Sequence, residues 1–140
     1  MKISIHVTVS CVLAAILYPF YGWKVLLVFA GGVLIDADHY WYYAAKYRKL
    51  NLVDCYNFFS SEADNTNHVH VKGIVLALHT VEFLAIMLAL SFYSEYALMF
   101  TVGLVGHYIL DAIWFISVLG KFVLNHSIIW WIVKRFKSFK

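Results

Sequence analysis

Residues 31–40 read GGVLIDADHY, and this stretch decides how the rest of the chain is interpreted. An apolar run leads into it, and Asp36, Asp38 and His39 then follow in quick succession. Ionisable side chains are costly in an apolar environment unless they are paired or bind a metal, so within an apolar helix they usually mark a function. If these residues form a site, other apolar segments should carry matching groups.

Three other apolar segments carry such groups. His79 and Glu82 lie three residues apart in one run. His107 and Asp111 lie four residues apart in another, and His6 is a weaker case near the start of the chain. Residues spaced by three or four share one face of an α-helix, so each pair can point into a helix bundle together.

The composition predicts an integral membrane protein. Apolar residues make up 63% of the 140 residues and charged residues 14%, whereas soluble domains average roughly 45–50% and 25%. The alternative is an apolar, oligomeric, soluble helix bundle. The length leaves room for a single domain spanning residues 1–140, and the oligomeric state does not follow from the sequence.

We expect an all-α fold, a membrane four-helix bundle followed by an interfacial amphipathic helix. Pro19 and Gly22 are expected to end the first helix. The C-terminal segment is apolar and then basic, which favours a helix at the membrane surface over a short last crossing. The predicted membrane helices span about 3–18, 24–47, 73–93 and 97–119, the surface helix spans 127–139, and between them lie a short interfacial helix at 52–59 and a loop at 60–67.

The basic residues predict the orientation. If the N-terminus is cytoplasmic, every lysine and arginine except Lys24 falls on the cytoplasmic side of two hairpins. Positive residues favour that side, so the sequence predicts a multi-pass protein of the cytoplasmic (inner) membrane with both termini cytoplasmic. We relate this charge to the lipid bilayer and not to nucleic acid. Cys11 and Cys55 have no disulfide or zinc-finger spacing.

The polar groups of the four segments are predicted to lie at one depth. In each segment, a polar residue lies four to ten positions from a lysine, and this lysine is expected to mark the cytoplasmic end of the segment. At about 1.5 Å per residue they lie about 6–15 Å inside that boundary. The pairs are His6 with Lys2, His39 with Lys46, His79 with Lys72, and Asp111 with Lys121.

Histidines and carboxylates on facing helices commonly build metal sites in bundles. This donor set suits zinc, our first expectation, and also manganese, iron or nickel. The alternatives are hydrogen bonds between helices, interhelical salt bridges or a proton relay. The predicted metal ligands are His6, Asp36, His39, His79, His107 and Asp111.

Two carboxylates are candidates for a catalytic base. Glu82 could accept a proton from a water molecule, serve as a ligand, or orient His79. Asp38 is the competing base, although on an ideal helix it points away from Asp36 unless the helix is kinked or unwound near its two glycines. His68 and His70 could close over the site or could simply be solvated, and His126 has no assigned role.

Glycines are expected to permit close packing of the helices. They lie in two of the predicted membrane helices, as Gly31, Gly32, Gly103 and Gly106.

The pattern resembles the membrane-bound metal-dependent hydrolase family. Its members are small four-helix membrane proteins with an early His, a Gly-rich helix ending in LPDxDH, an RGxTHS motif and a late GxxxHxxxD motif. The sequence departs from these motifs in having Ile35 in place of proline, and in lacking Arg-Gly before His79 while carrying Glu82 after it. The counterparts are His6, LIDADH at 34–39, LHT at 78–80, and GLVGHYILD at 103–111. The last element is also similar to one in zinc-dependent phospholipases C.

The resulting hypothesis is a hydrolase that acts on a phosphoester or other ester bond of a lipid or amphiphile, with metal-activated water as the nucleophile. The second hypothesis is a non-catalytic metal-binding or proton-relay membrane protein, such as a small transporter or structural subunit. A third is a structural bundle whose polar groups satisfy one another.

Overall fold

The computed structural model describes residues 3–64, 76–119 and 127–137. These residues form helices and no strand, which confirms the all-α class. The α-helices are α1 (Ile3–Tyr21), α2 (Leu26–Gly32), α3 (Ala37–Tyr47), α4 (Leu52–Asp64), α5 (Val81–Ser91), α6 (Glu95–Leu119) and α7 (Ile128–Lys137). Three short 3₁₀ turns join or precede them, at Gly22–Val25, Leu34–Asp36 and Ala77–His79.

The predicted continuous helix over 24–47 is wrong. The α2 helix ends at Gly32, and Val33 leaves the helical region with φ −129°. The chain then makes the 3₁₀ turn Leu34–Asp36 before α3 begins. Glycine is a poor helix former, and two in succession weaken the helix where it ends. The unwinding at the glycine pair is the condition under which Asp38 was expected to join Asp36.

The first helix is longer than the sequence predicted. It passes through Pro19 and ends at Tyr21. Proline in the last turn removes only one backbone hydrogen bond, so the helix tolerates it there. Gly22 has φ +53°, a left-handed conformation that glycine adopts without strain and that ends helices.

The helix predicted for 73–93 is observed only in part. The described residues before α5 form the 3₁₀ turn Ala77–His79, and Thr80 is extended with ψ 151°. The α5 helix has 11 residues, about 16 Å of rise, which is shorter than the roughly 30 Å hydrocarbon core of a bilayer. Residues 73–75 lie outside the described part of the chain.

The other elements follow the sequence more closely. The α6 helix begins two residues before its predicted start and ends where expected, and α7 matches the predicted C-terminal helix. The α4 helix continues to Asp64, through most of the loop predicted for 60–67. Residues 65–67 of that loop are outside the described ranges.

Helices α2 and α6 pack backbone to backbone. A Cβ atom on Gly31 would overlap the carbonyl oxygen of Phe100 and lie 2.8 Å from the backbone nitrogen of Leu104. A Cβ atom on Gly103 would overlap the carbonyl oxygen of Val28. The expectation that glycines permit close packing is confirmed here, and this contact holds the end of α2 against the middle of α6.

An apolar core lies at the other end of these helices. Ala14, Val25, Val28 and Met99 are buried together there. Near this core the exposed side chains of Lys24 and Glu95 form an ion pair. The turn after α1 and the start of α6 therefore lie at the same end of the molecule.

Two stretches of the described chain, Ile3–Tyr47 and Glu95–Ser117, are long and apolar enough to cross a membrane. The first contains α1, α2 and α3. Their surfaces expose large apolar side chains, of which Phe20 is 79% exposed and Trp41 73% exposed. Apolar surface of this kind needs a covering of lipid or protein. The four-helix membrane bundle stays a prediction.

Candidate metal centre

Seven imidazole and carboxylate side chains meet where α1, α3 and α6 approach the turns at Leu34–Asp36 and Ala77–His79. They form three overlapping groups that could each hold a metal ion. The set includes all six predicted ligands and the predicted base Asp38. We call these residues the His/Asp cluster: His6, Asp36, Asp38, His39, His79, His107 and Asp111.

Three donor atoms form the centre of the cluster. The Nε2 atoms of His79 and His107 are 3.0 Å apart. Asp36 Oδ1 lies 3.4 Å from the first and 3.5 Å from the second. Ligands bound to zinc at about 2.0–2.1 Å in a tetrahedral site are separated by about 3.3 Å. The three separations therefore match the edges of a coordination polyhedron.

Hydrogen bonds determine which ring nitrogens of the two central histidines carry protons. The Nδ1 atom of His107 lies 3.0 Å from the carbonyl oxygen of Gly32, and the Nδ1 atom of His79 lies 2.9 Å from Asp38 Oδ2. A carbonyl and a carboxylate oxygen only accept, so both Nδ1 atoms donate. In the neutral rings both Nε2 atoms then carry lone pairs, which converge with those of Asp36 Oδ1.

This arrangement requires a positive species between the three atoms. Lone pairs facing one another in a buried site repel unless a cation or a proton lies between them. Metal-bound histidines typically donate their other ring N–H to a carboxylate or a backbone carbonyl, as His79 and His107 do here. The residues therefore fit a divalent metal ion.

Asp111 and His6 extend the centre on the side of α1. Asp111 Oδ2 lies 3.2 Å from His107 Nε2, and its Oδ1 lies 3.4 Å from His6 Nε2. The rings of His6 and His107 stack with centroids 4.2 Å apart. Asp111 and His6 can thus complete the coordination of an ion held at His107.

Asp38 and His39 extend the centre on the opposite side. Asp38 Oδ2 accepts from the backbone N–H of Leu78 at 3.1 Å as well as from His79. Its Oδ1 lies 3.0 Å from His39 Nδ1. Asp36 Oδ1 lies 3.5 Å from the same nitrogen, so the carboxylate of Asp36 faces histidines of both the centre and this side.

The break after α2 creates much of this geometry. Because the helix ends at Gly32, its carbonyl has no intrahelical partner and is free to accept from His107. The same break lets Asp36 and Asp38 both enter the cluster, which a regular helix would not allow. A backbone carbonyl has no identifiable trace in a sequence, so the role of Gly32 was not predicted.

Tyr108 and Thr80 hold the segment that carries His79. The Tyr108 hydroxyl lies 3.2 Å from the carbonyl oxygen of Leu78 and 3.0 Å from that of Thr80, to which it donates. The Thr80 hydroxyl accepts from the backbone N–H of Phe83 and so caps α5. Tyr108 was not predicted, although its position directly after His107 is visible in the sequence.

Glu82 has different partners. Its carboxylate accepts from the hydroxyl of Ser127 and from the backbone N–H groups of Ile128 at 3.2 Å and Ile129 at 3.3 Å. These are the unpaired donors at the start of α7. Among the described residues, none of the three metal-binding groups includes Glu82. Its role as base, ligand or partner of His79 stays a prediction.

The cluster is shielded from solvent. His6 and His79 are each 2% exposed and His107 is 1% exposed, while the carboxylate of Asp36 keeps partial access to solvent. Within the cluster the side chains of His39 and Asp36 are the most exposed, at 27% and 25%. His68, His70 and His126 lie outside the described residues.

No protein family, curated protein or solved structure in our comparisons matches this chain. Relation to the membrane-bound metal-dependent hydrolases therefore stays a prediction from the motifs.

Proposed function

We propose that the protein is a metal-dependent hydrolase of the cytoplasmic membrane, which cleaves a phosphoester or other ester bond of a lipid or amphiphile. One observation carries the metal-binding part of this proposal. The Nε2 atoms of His79 and His107 and the Oδ1 atom of Asp36 converge while both Nδ1 atoms are committed to other partners. We favour zinc because the donor set and its separations suit it.

Six of the seven residues of the cluster have a distinct part in this proposal. His79, His107 and Asp36 hold the ion, and Asp111 and His6 complete its surroundings. Asp38 and the carbonyl of Gly32 fix the two central rings in the orientation that binding needs. A bound divalent cation supplies Lewis-acid chemistry and lowers the pKa of water.

The surroundings of the cluster favour an amphiphilic substrate. Leu34 is 65% exposed and Trp41 is 73% exposed, and both belong to the segment that carries Asp36 and His39. Apolar surface next to a polar site suits a molecule with an apolar tail and a polar reacting group. The two stretches that could cross a membrane support a location in the bilayer.

Turnover by the detergent-purified full chain tests the proposal. We expect cleavage of generic phosphoester or ester amphiphiles that a chelator abolishes and added zinc restores. His107→Ala should be inactive and His126→Ala should match the wild type. Turnover that persists without metal, or no turnover in fully metal-loaded protein, would overturn the hydrolase.

A proton relay is the second candidate, because the cluster also forms an unbroken chain. Its steps run from Asp38 to His79, His107, Asp111 and His6, with separations of 2.9 to 3.4 Å. In liposomes a relay would conduct protons without bound metal and would lose this flux in His107→Ala. A proton flux that requires metal-free protein would favour the relay over the hydrolase.

We also propose that both termini are cytoplasmic and that the turn before α6 is external. The ion pair of Lys24 and Glu95 supports this topology, since it joins the two ends that the orientation argument places outside. Labelling of Ser94→Cys should succeed from outside, and labelling of Ser138→Cys only from inside. The reverse pattern would invert the topology.

A further inference from the structure

Three buried side-chain atoms of the His/Asp cluster have no hydrogen-bond partner among the described residues. His6 Nδ1 lies alone on the side of α1, whereas Asp38 Oδ1 and His39 Nδ1 lie 3.0 Å apart. Buried polar atoms are nearly always satisfied in proteins, so an unsatisfied pair calls for a ligand. The other carboxylate oxygen of Asp38 already accepts from His79 and Leu78. Oδ1 is therefore left for a separate partner.

The charge of the cluster also exceeds what one ion can balance. Asp36, Asp38 and Asp111 bring three negative charges, and histidines that bind a metal are neutral. The ion pairs that these carboxylates make within the described chain all have histidine partners. With one divalent cation bound, one negative charge of this largely buried site is left to be balanced, either by a second cation or by protonation of a histidine that is not a ligand.

We propose that the cluster binds two divalent cations, with the second held by Asp38 Oδ1 and His39 Nδ1. Asp36 bridges the two positions. Its Oδ1 lies 3.5 Å from His39 Nδ1 and 3.4 Å from His79 Nε2, so one carboxylate faces donors of both sites. This inference rests on the proposed metal centre and deepens it.

The second position suits the same class of cation as the first. An imidazole nitrogen with carboxylate oxygens is a donor set for zinc or manganese. Two-metal sites, with ions about 3.5–4 Å apart, are typical of enzymes that hydrolyse phosphoesters. A second cation also gives Asp38 Oδ1 a role other than that of a base.

The number of ions per chain tests the proposal. The detergent-purified full chain is dialysed to equilibrium against Mn²⁺ or Zn²⁺, and bound metal is measured by elemental analysis. We expect two ions per chain in the wild type and in His126→Gln. His39→Gln should bind one, and this retained ion, with an unchanged far-UV circular dichroism spectrum, shows that the variant is folded. His39→Ala should behave in the same way.

Electron paramagnetic resonance gives a second readout that does not depend on activity. Two Mn²⁺ ions bridged by a carboxylate are magnetically coupled, so the wild type should show a coupled spectrum and His39→Gln an uncoupled one.

Binding of one ion by the wild type would overturn this inference and leave the proposed function standing. Binding of none would overturn both. Two ions in His39→Gln, or none in that folded variant, would contradict a separate site at His39.

Discussion

Two regions of the molecule contain a histidine and a carboxylate three residues apart, and only one keeps them together. In the His/Asp cluster, Asp36 Oδ1 lies 3.5 Å from His39 Nδ1, and the backbone between them is helical. At the start of α5, Thr80 is extended, and Glu82 bonds to the start of α7 instead. A spacing of three residues therefore predicts a shared face only where the helix is continuous.

The largest expected effect is the loss of bound metal when donor residues of the cluster are removed. His107→Ala and Asp111→Ala should each lose most of the bound metal, because His107 belongs to two of the three groups and Asp111 joins it to His6. Elemental analysis of the purified variants checks this. His126→Ala is the matched control and should keep its metal. Equal metal content in the three variants would contradict the site.

The next largest effect is a loss of stability, and it is expected at the end of α2, beside the cluster. Gly31→Ala should destabilise the protein by about 1–3 kcal/mol, because its Cβ would collide with the backbone of α6 at Phe100 and Leu104. Thermal unfolding in detergent measures this. Gly106→Ala is the control, since its Cβ would only approach a side-chain atom of Leu13 at 3.3 Å. Equal stabilities would contradict the close packing.

A smaller effect is expected at Glu82, near the start of α5. Glu82→Gln should keep the full metal content and near-normal turnover, because its carboxylate contacts the start of α7. Hydrogen exchange in the first turn of α7 should become faster. Asp38→Asn is the contrasting variant and should bind metal more weakly. Lost metal in Glu82→Gln would make Glu82 a ligand, and a hundredfold loss of turnover alone would make it the base.

The smallest effect is expected at the far end of the molecule. Lys24→Gln removes an exposed ion pair with Glu95, and exposed pairs contribute little to stability. Metal content and the unfolding temperature should both stay close to the wild-type values. A clear loss of metal in this variant would show that the two ends of the helices are coupled.

Much of the fold and the site follows from the sequence. Apolar runs identified α1 and α6, because helices of this composition are recognisable from length and hydropathy alone. The members of the cluster were predicted because ionisable residues are rare in such runs. Their predicted common depth, counted from the flanking lysines, then grouped residues from separate segments.

The rest depended on contacts between residues distant in the chain. The end of α2 packs against Phe100 and Leu104, and no local pattern records this contact. Glu82 finds its partner Ser127 across 45 positions of sequence. The acceptor at Gly32 is a backbone atom that exists only because the helix stops there. Local spacing therefore predicted the members of the His/Asp cluster, while tertiary packing decided what each one contacts.

X-ray absorption at the zinc edge tests the metal centre most directly. The measurement uses the detergent-purified wild-type chain loaded with zinc. We predict nitrogen and oxygen neighbours at about 2.0–2.1 Å, with the outer-shell scattering of imidazole rings and no sulfur neighbour. His107→Ala should lose most of this signal. A protein that retains no zinc, or a sulfur neighbour at about 2.3 Å, would contradict a centre built from His79, His107 and Asp36.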